Sequence, residues 1–199
     1  MKVIVIGATG AVGKAVVEEL GKRHDVVTVG ARGGQYQVDF ADIGSVRGLF
    51  AKVGKVDAVV VTAGVLHFAP LTSFTPEQFY VGLNSKLMGQ VNVALVAQEY
   101  LNDGGSITLT SGILADEPIR QGASATMVNA AIEGFARGAA IELPRGIRIN
   151  VVSPTVLQES MDAYGAFFIG FEPVTASRAA LSYARSVDGA QTGQVYRAL

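Results

Sequence analysis

The chain has 199 residues, 49% hydrophobic and 17% charged, with a net charge of −1. That balance suits a globular protein able to bury both faces of a sheet, and it excludes a disordered chain. The absence of cysteine excludes disulfides, thiolate chemistry and cysteine-ligated zinc; two histidines, His24 and His67, are too few for an imidazole metal site, and no basic block marks a nucleic-acid surface.

Lys2 to Ile6 is a Val/Ile run without polar alternation, which reads as a strand buried on both faces. Gly7, Gly10 and Gly13 follow, and an amphipathic helix begins near Val12 and runs to Arg23 through Val16, Val17 and Leu20. Strand, glycine turn and helix form the first half of a nucleotide-binding βαβ unit. Gly7 permits the turn, Gly10 or its neighbours let the backbone approach a pyrophosphate, and Gly13 lets the helix lie against the strand. The phosphates are expected at the helix N-terminus, where free N–H groups and the dipole favour anions.

A second strand is expected over Val26 to Gly30, and a third over Tyr36 to Phe40, reached by only Ala31 to Gln35. Asp42 or Ser45 caps a helix carrying Val46, Leu49, Phe50 and Val53. Asp57 to Val61 is a fourth strand, ending in Thr62-Ala63-Gly64. Thr75-Pro76 opens a long helix reaching about Leu101. The fifth strand is Ser106 to Thr110, with Ser111 at its tip. A second long helix spans Gly122 to Leu143, followed by a sixth strand from Ile147 to Val152. Residues 155–175 are irregular and aromatic; a helix over Ala176 to Val187 and a strand over Gly193 to Arg197 close the chain.

Strands alternating with helices imply an α/β fold, a doubly wound, mostly parallel sheet of about seven strands with helices on both faces. The expected organisation is a single Rossmann-like domain over 1–199. Ligands of such sheets bind beyond the carboxyl ends of the strands. Gly7 to Gly13, Arg32, Asp39, Ala63-Gly64, Ser111 and Pro154 all fall at that edge. No run approaches the roughly 18 apolar residues of a membrane span, and the N-terminal apolar run is too short for a signal peptide. A cytoplasmic protein without nucleic-acid or membrane partners is expected.

The ordered set Gly7-Ala8-Thr9-Gly10-Ala11-Val12-Gly13, Asp39, Thr62-Ala63-Gly64, Asn84, Ser111, Asn129 to Arg137 and Ile147 to Pro154 resembles the short-chain dehydrogenase/reductase family over nearly the whole chain. The resemblance implies a nicotinamide dinucleotide site built from Gly7, Thr9, Gly10, Ala11, Val12, Gly13, Asp39, Phe40, Ala63 and Gly64. Asp39 would bond the adenine amino group, and Ala63 and Gly64 would pack on the adenosine ribose. NAD acceptors usually place a carboxylate after the second strand for the ribose 2′-hydroxyl. Here Gly30-Ala31-Arg32 stands there, and Arg32 suits a 2′-phosphate. NADP(H) is therefore favoured over NAD(H); the alternative is a solvated loop arginine.

The family's chemistry uses Tyr-x-x-x-Lys on the helix after the fifth strand. A tyrosine's ordinary pKa is about 10, and the lysine's charge lowers it. Those positions here are Ala125 and Asn129; no Tyr occurs between Tyr100 and Tyr164, and no Lys follows Lys86. The resemblance leaves Ser111 to orient a carbonyl, Asn84 to hold a relay water and Asn129 to bond ribose hydroxyls. Two readings stand: an oxidoreductase acting on a small carbonyl or alcohol with a non-standard proton donor, or a non-catalytic dinucleotide-binding sensor or partner-binding protein. Tyr80, Tyr164 or His67 could substitute as donor, against packing or surface roles. The family's usual pairing of its long helices, here 76–101 and 122–143, predicts a homodimer or homotetramer.

Overall fold

The structure, a computed structural model, describes residues 1–199. Its strands are β1 (Lys2–Ile6), β2 (Asp25–Gly30), β3 (Tyr36–Gln37), β4 (Val56–Val61), β5 (Leu101–Thr110), β6 (Arg148–Pro154) and β7 (Val195–Ala198). Its helices are α1 (Ala11–Gly21), α2 (Ile43–Val53), α3 (Pro76–Gly82), α4 (Gly89–Tyr100), α5 (Ala123–Ala139), α6 (Met161–Tyr164) and α7 (Ala176–Asp188). All seven strands run parallel in one sheet, ordered β3-β2-β1-β4-β5-β6-β7. The winding reverses between β1 and β4, so the crevice for a ligand opens at their carboxyl ends.

β1 and β4 are apolar at nearly every position because both faces are covered, while β5 and β6 bury the polar residues Ser106, Thr108, Asn150 and Ser153. Ile4, Ile6, Val59 and Val61 pack with Val46 and Phe50 of α2, Val93 of α4 and Ile132 of α5. Val3, Val5, Ala58 and Val60 point the other way, onto Val16 and Leu20 of α1 and Ala179, Tyr183 and Val187 of α7. No helix is long and apolar enough to cross a membrane.

Five boundaries differ from the sequence expectations. β3 covers only Tyr36–Gln37, not residues 36–40. Gly34, at φ +90°, turns the chain back, and the Gln35 side chain accepts from the Thr28 N–H at 2.9 Å while the Gln35 N–H reaches Thr28 Oγ1 at 3.1 Å. The tight return replaces the usual crossover helix. After Val38 the chain leaves the sheet, because Asp39 Oδ1 accepts from the Ala41 N–H at 3.1 Å and makes a local turn.

The helix expected over 76–101 begins as predicted, with a capping box between Thr75 and Gln78. Its middle, Leu83–Met88, is a π-helical turn separating α3 from α4. α5 stops at Ala139 rather than at residue 143, because Pro144 disfavours helical backbone before it; residues 140–143 continue as turns. β5 starts early: Leu101 pairs with Val56, the register shifts, and Ser106 to Thr108 pair with Ala58 to Val60. The closing strand is displaced slightly, to Val195–Ala198.

Candidate functional site

The turn from β1 into α1 is shaped to receive an anion. Gly7 has φ +90°, and a Cβ there would lie 2.8 Å from Thr62 Oγ1 and 2.9 Å from the Ala63 nitrogen. A Cβ on Gly13 would stand 2.0 Å from the Gly7 carbonyl oxygen, so only glycine allows α1 to lie so close to the end of β1. Gly10 is the N-cap, without a side-chain cap or an acidic residue in the first turn. Lys14 is the first helix residue to donate back, to Gly10. The N–H groups of Ala11, Val12 and Gly13 therefore have no acceptor in the chain, a ready pyrophosphate cradle at the positive end of the dipole.

Arg32 lies beyond the tip of β2, exposed, with no hydrogen bond or ion pair. With Thr9, Ala31 and Gly33 it lines an open cleft of about 420 Å³. A Cβ on Gly30 would meet the Gly33 carbonyl oxygen at 2.8 Å and Thr9 Oγ1 at 3.3 Å, so this loop is pressed against the phosphate turn. Asp39 is exposed, and one carboxylate oxygen is already bonded to the Ala41 N–H. The Phe40 ring lies over Gly89, and the Asn92 amide donates to the carbonyl oxygens of Phe40 and Ala41 at 3.3 and 3.0 Å. Ala63 and Gly64 end β4 opposite this loop. The Val65 N–H donates to Ser85 Oγ at 3.1 Å, which ties the strand tip to the π-turn. Free N–H groups, an unpaired arginine and close-packed glycines fit a dinucleotide laid across the crevice.

The reacting end is arranged differently from the expectation. Asn84 is exposed on the π-turn and makes no side-chain bond. Ser111 is only 2% exposed, and its hydroxyl donates to Glu133 Oε1 at 2.9 Å. Its one proton is thus committed inward and not offered to a carbonyl. Glu133 also binds Arg197 of β7, with Arg197 Nη1 at 2.8 Å from Oε1, and Arg197 pairs in turn with Asp116.

Asn129 is buried, and its Oδ1 accepts from Lys86 Nζ at 2.7 Å. The same ammonium donates to the Ser111 carbonyl oxygen at 2.9 Å. A positive charge therefore stands within a hydrogen bond of the position from which lysine is missing, delivered from the π-turn instead of from α5. Burial pushes the Lys86 ammonium down to about 8. The stem of this half-exposed residue lies along Gly64 (φ +148°), where a Cβ would be 2.5 Å from Lys86 Cγ. The signal that could have revealed it was the pair Asn84 and Lys86 on one short segment.

Ala125, at the tyrosine position, is wholly buried with Ile113 and Leu114, and Leu66, Phe68, Phe168 and Phe171 pack around it. That wall is apolar. Tyr80 and Tyr164 are 55% and 46% exposed, and His67 stacks edge-on to Phe74. Tyr183 is buried in the core on Thr110 Oγ1; burial raises its phenol pKa, the wrong direction for an acid at neutral pH. No group of His, Asp or Glu side chains has metal-holding geometry.

Residues 1–198 match the family profile described as enoyl-(acyl carrier protein) reductase. The chain is 30% identical over 183 residues to a tetrahydroxynaphthalene reductase of Pestalotiopsis fici, covering 79% of this chain and 66% of that protein. It is 29% identical over 141 residues to a hydroxynaphthalene reductase of Aspergillus fumigatus, covering 68% of this chain and 52% of that one. The chain thus spans between half and two thirds of the length of these curated relatives. A solved structure, the protein lin1944 of Listeria innocua, superposes with a TM-score of 0.98 at 50% identity over 100% of both chains. A small-chain dehydrogenase in complex with NADPH superposes with a TM-score of 0.89 at 27% identity, covering 99% of this chain and 95% of that one. The chain belongs to the short-chain dehydrogenase/reductase family, oxidoreductases built around a nicotinamide dinucleotide site.

Proposed function

We propose that this chain is an NADP(H)-dependent oxidoreductase that reduces a small, weakly polar carbonyl compound. The observation that carries the reading is Arg32, unpaired beyond β2 beside the free N–H groups of α1, with no carboxylate next to it. The relative that holds NADPH supports the same choice. Ala11, Val12 and Gly13 hold the pyrophosphate, Arg32 holds the 2′-phosphate, and Asp39, Ala63 and Gly64 border the adenosine half. When bound, the reduced nicotinamide supplies a hydride. The apolar wall of Leu66, Phe68 and Phe168 beside Ala125 excludes water from the acceptor's side and suits an uncharged substrate.

Titration of wild type and Arg32→Ala with NADPH and NADH tests the reading. A charge-assisted bidentate contact contributes about 1.5–3 kcal/mol, so Arg32→Ala should weaken NADPH about 10- to 100-fold and leave NADH little changed. Equal loss for both cofactors refutes the 2′-phosphate assignment. No binding at millimolar cofactor removes the dinucleotide reading itself.

The buried Ala125 favours a second reading, a cofactor-binding sensor that transfers no hydride. Turnover on a panel of aldehydes and ketones decides between them. Assembly as a homodimer or homotetramer through the helices spanning 76–101 and 122–143 is also proposed. Leu95 is 45% exposed there, beside a groove of about 340 Å³ that includes Gly134, Phe135 and Gly138. Light scattering of wild type and Leu95→Asp tests it; a wild-type monomer at high concentration refutes it.

A further inference from the structure

Lys86 carries a charge that nothing in the folded chain neutralises. The residue is half-buried with its ammonium turned inward, and its bonds go only to neutral oxygens, the Ser111 carbonyl at 2.9 Å and Asn129 Oδ1 at 2.7 Å. The charged groups on the surrounding elements are engaged elsewhere or lack contact with it. Glu133 of α5 binds Ser111 Oγ and Arg197, and Asp116 after β5 binds Arg197. Arg137 of α5 reaches toward Glu133, His67 stacks on Phe74, and Glu77 sits at the capped start of α3. A structural lysine ordinarily extends its ammonium to water. This one is brought inward by three concessions from its neighbours. Gly64 gives up a side chain, Ser111 turns its carbonyl toward the ammonium, and Asn129 presents an amide oxygen.

The position matters as much as the charge. Lys86 lies between the tips of β4 and β5, beyond the carboxyl edge where the ligand crevice opens. The Ser111 hydroxyl donates its hydrogen bond to Glu133, and Tyr183 is bonded in the core. The ammonium still has a third N–H once its two bonds are counted.

We propose that Lys86 is the proton donor of this site, its ammonium aimed by Ser111 and Asn129 at the oxygen of the substrate carbonyl. The assignment rests on the reductase reading above. A reduced nicotinamide, when bound, would supply the hydride and its two electrons to the carbonyl carbon. The oxygen takes a proton from Lys86, so that one N–H bond breaks and one O–H bond forms. The neutral amine then recovers a proton from water. An amine that burial pushes down to about 8 is suited to this work.

The test uses the full chain with lysine side chains isotope-labelled for NMR, the Lys86 signal being assigned by its loss in Lys86→Met. That signal should titrate at about 8, well below the ordinary lysine range, and NADPH should shift it. In turnover, kcat should fall as pH rises through the Lys86 pKa, because the acid form is the reactant. Lys86→Arg, charged at every accessible pH, should retain NADPH affinity, lose that limb and lower kcat about 100-fold. A Lys86 signal unmoved by NADPH, or wild-type kcat in Lys86→Met, overturns this assignment and leaves the reductase reading standing. Wild type that binds no NADPH, or that turns over no carbonyl, overturns both.

Discussion

Replacing Gly13 by alanine tests the phosphate turn through the fold that supports it. The added Cβ would stand 2.0 Å from the Gly7 carbonyl oxygen and 2.7 Å from its carbon, both backbone atoms that no rotamer change can move. Ordinary contact begins near 3.4 Å, so α1 must shift outward by more than an ångström. That shift loosens Val16 and Leu20 from Val3, Val5 and Tyr183, all buried. Overpacking of this kind costs about 2–3 kcal/mol. For a domain of this size the melting temperature should fall by about 4–12 °C. Gly48→Ala in the middle of α2 is the matched control, because a Cβ there meets nothing within 4 Å. It should stabilise the chain by about 0.5–1 kcal/mol through helix propensity and a less flexible unfolded state. Urea melts of both variants give the free energies, and NADPH titration should show weakening only in Gly13→Ala. If the two alanines behave alike, the close approach of α1 to β1 is not what holds this turn.

Two further perturbations address other parts of the structure. Glu133→Ala leaves Arg197 and the Ser111 hydroxyl without their shared acceptor, and should destabilise the chain by about 2–3 kcal/mol, below a fully buried pair because Arg197 is partly exposed. A urea midpoint equal to wild type would show that the pair contributes nothing. Asp57 is held below the usual carboxylate range, first by the Asn102 side chain and then by the Lys2 N–H. Its contribution is therefore complete above about pH 4 and lost as pH falls through the depressed folded value. Asp57→Asn should flatten the acid limb of stability against pH; an unchanged slope rejects the linkage.

The parts of the fold that could be read in advance are those where local chemistry has one solution. β1 and β4 are apolar on both faces because helices cover both, and their Val/Ile-rich runs say so directly. Thr75 and Asp42 cap helices because their side chains are the nearest acceptors for free N–H groups. The glycine cradle was legible for the same reason, since a Cβ at Gly7 or Gly13 has nowhere to go. The short β3 was not, because its loop is closed by a reciprocal exchange in which the side chains of Thr28 and Gln35 each accept from the other's backbone N–H, seven residues apart. The inward turn of Ser111 depended on Glu133, twenty-two residues later, whose neighbour Arg197 arrives only with β7.

Lys86 escaped the sequence reading for a geometric reason. Aligning α5 by position finds Asn129 and records a lost cation, because an alignment follows backbone positions. The chemistry needs a charged atom at a point, and a long lysine stem from the neighbouring helix reaches it. The π-turn over Leu83–Met88 offsets the residues after α3 from regular helical spacing, and the Gln90 side chain donates to the Lys86 carbonyl oxygen there at 3.0 Å. The asparagine at 129 and the lysine at 86 are then one arrangement. An amide oxygen at 129 accepts the ammonium at 2.7 Å, whereas a second lysine there would set two positive charges together in an enclosed site. The residue that looked like the loss of the family's chemistry is the one that holds the remaining ammonium in place.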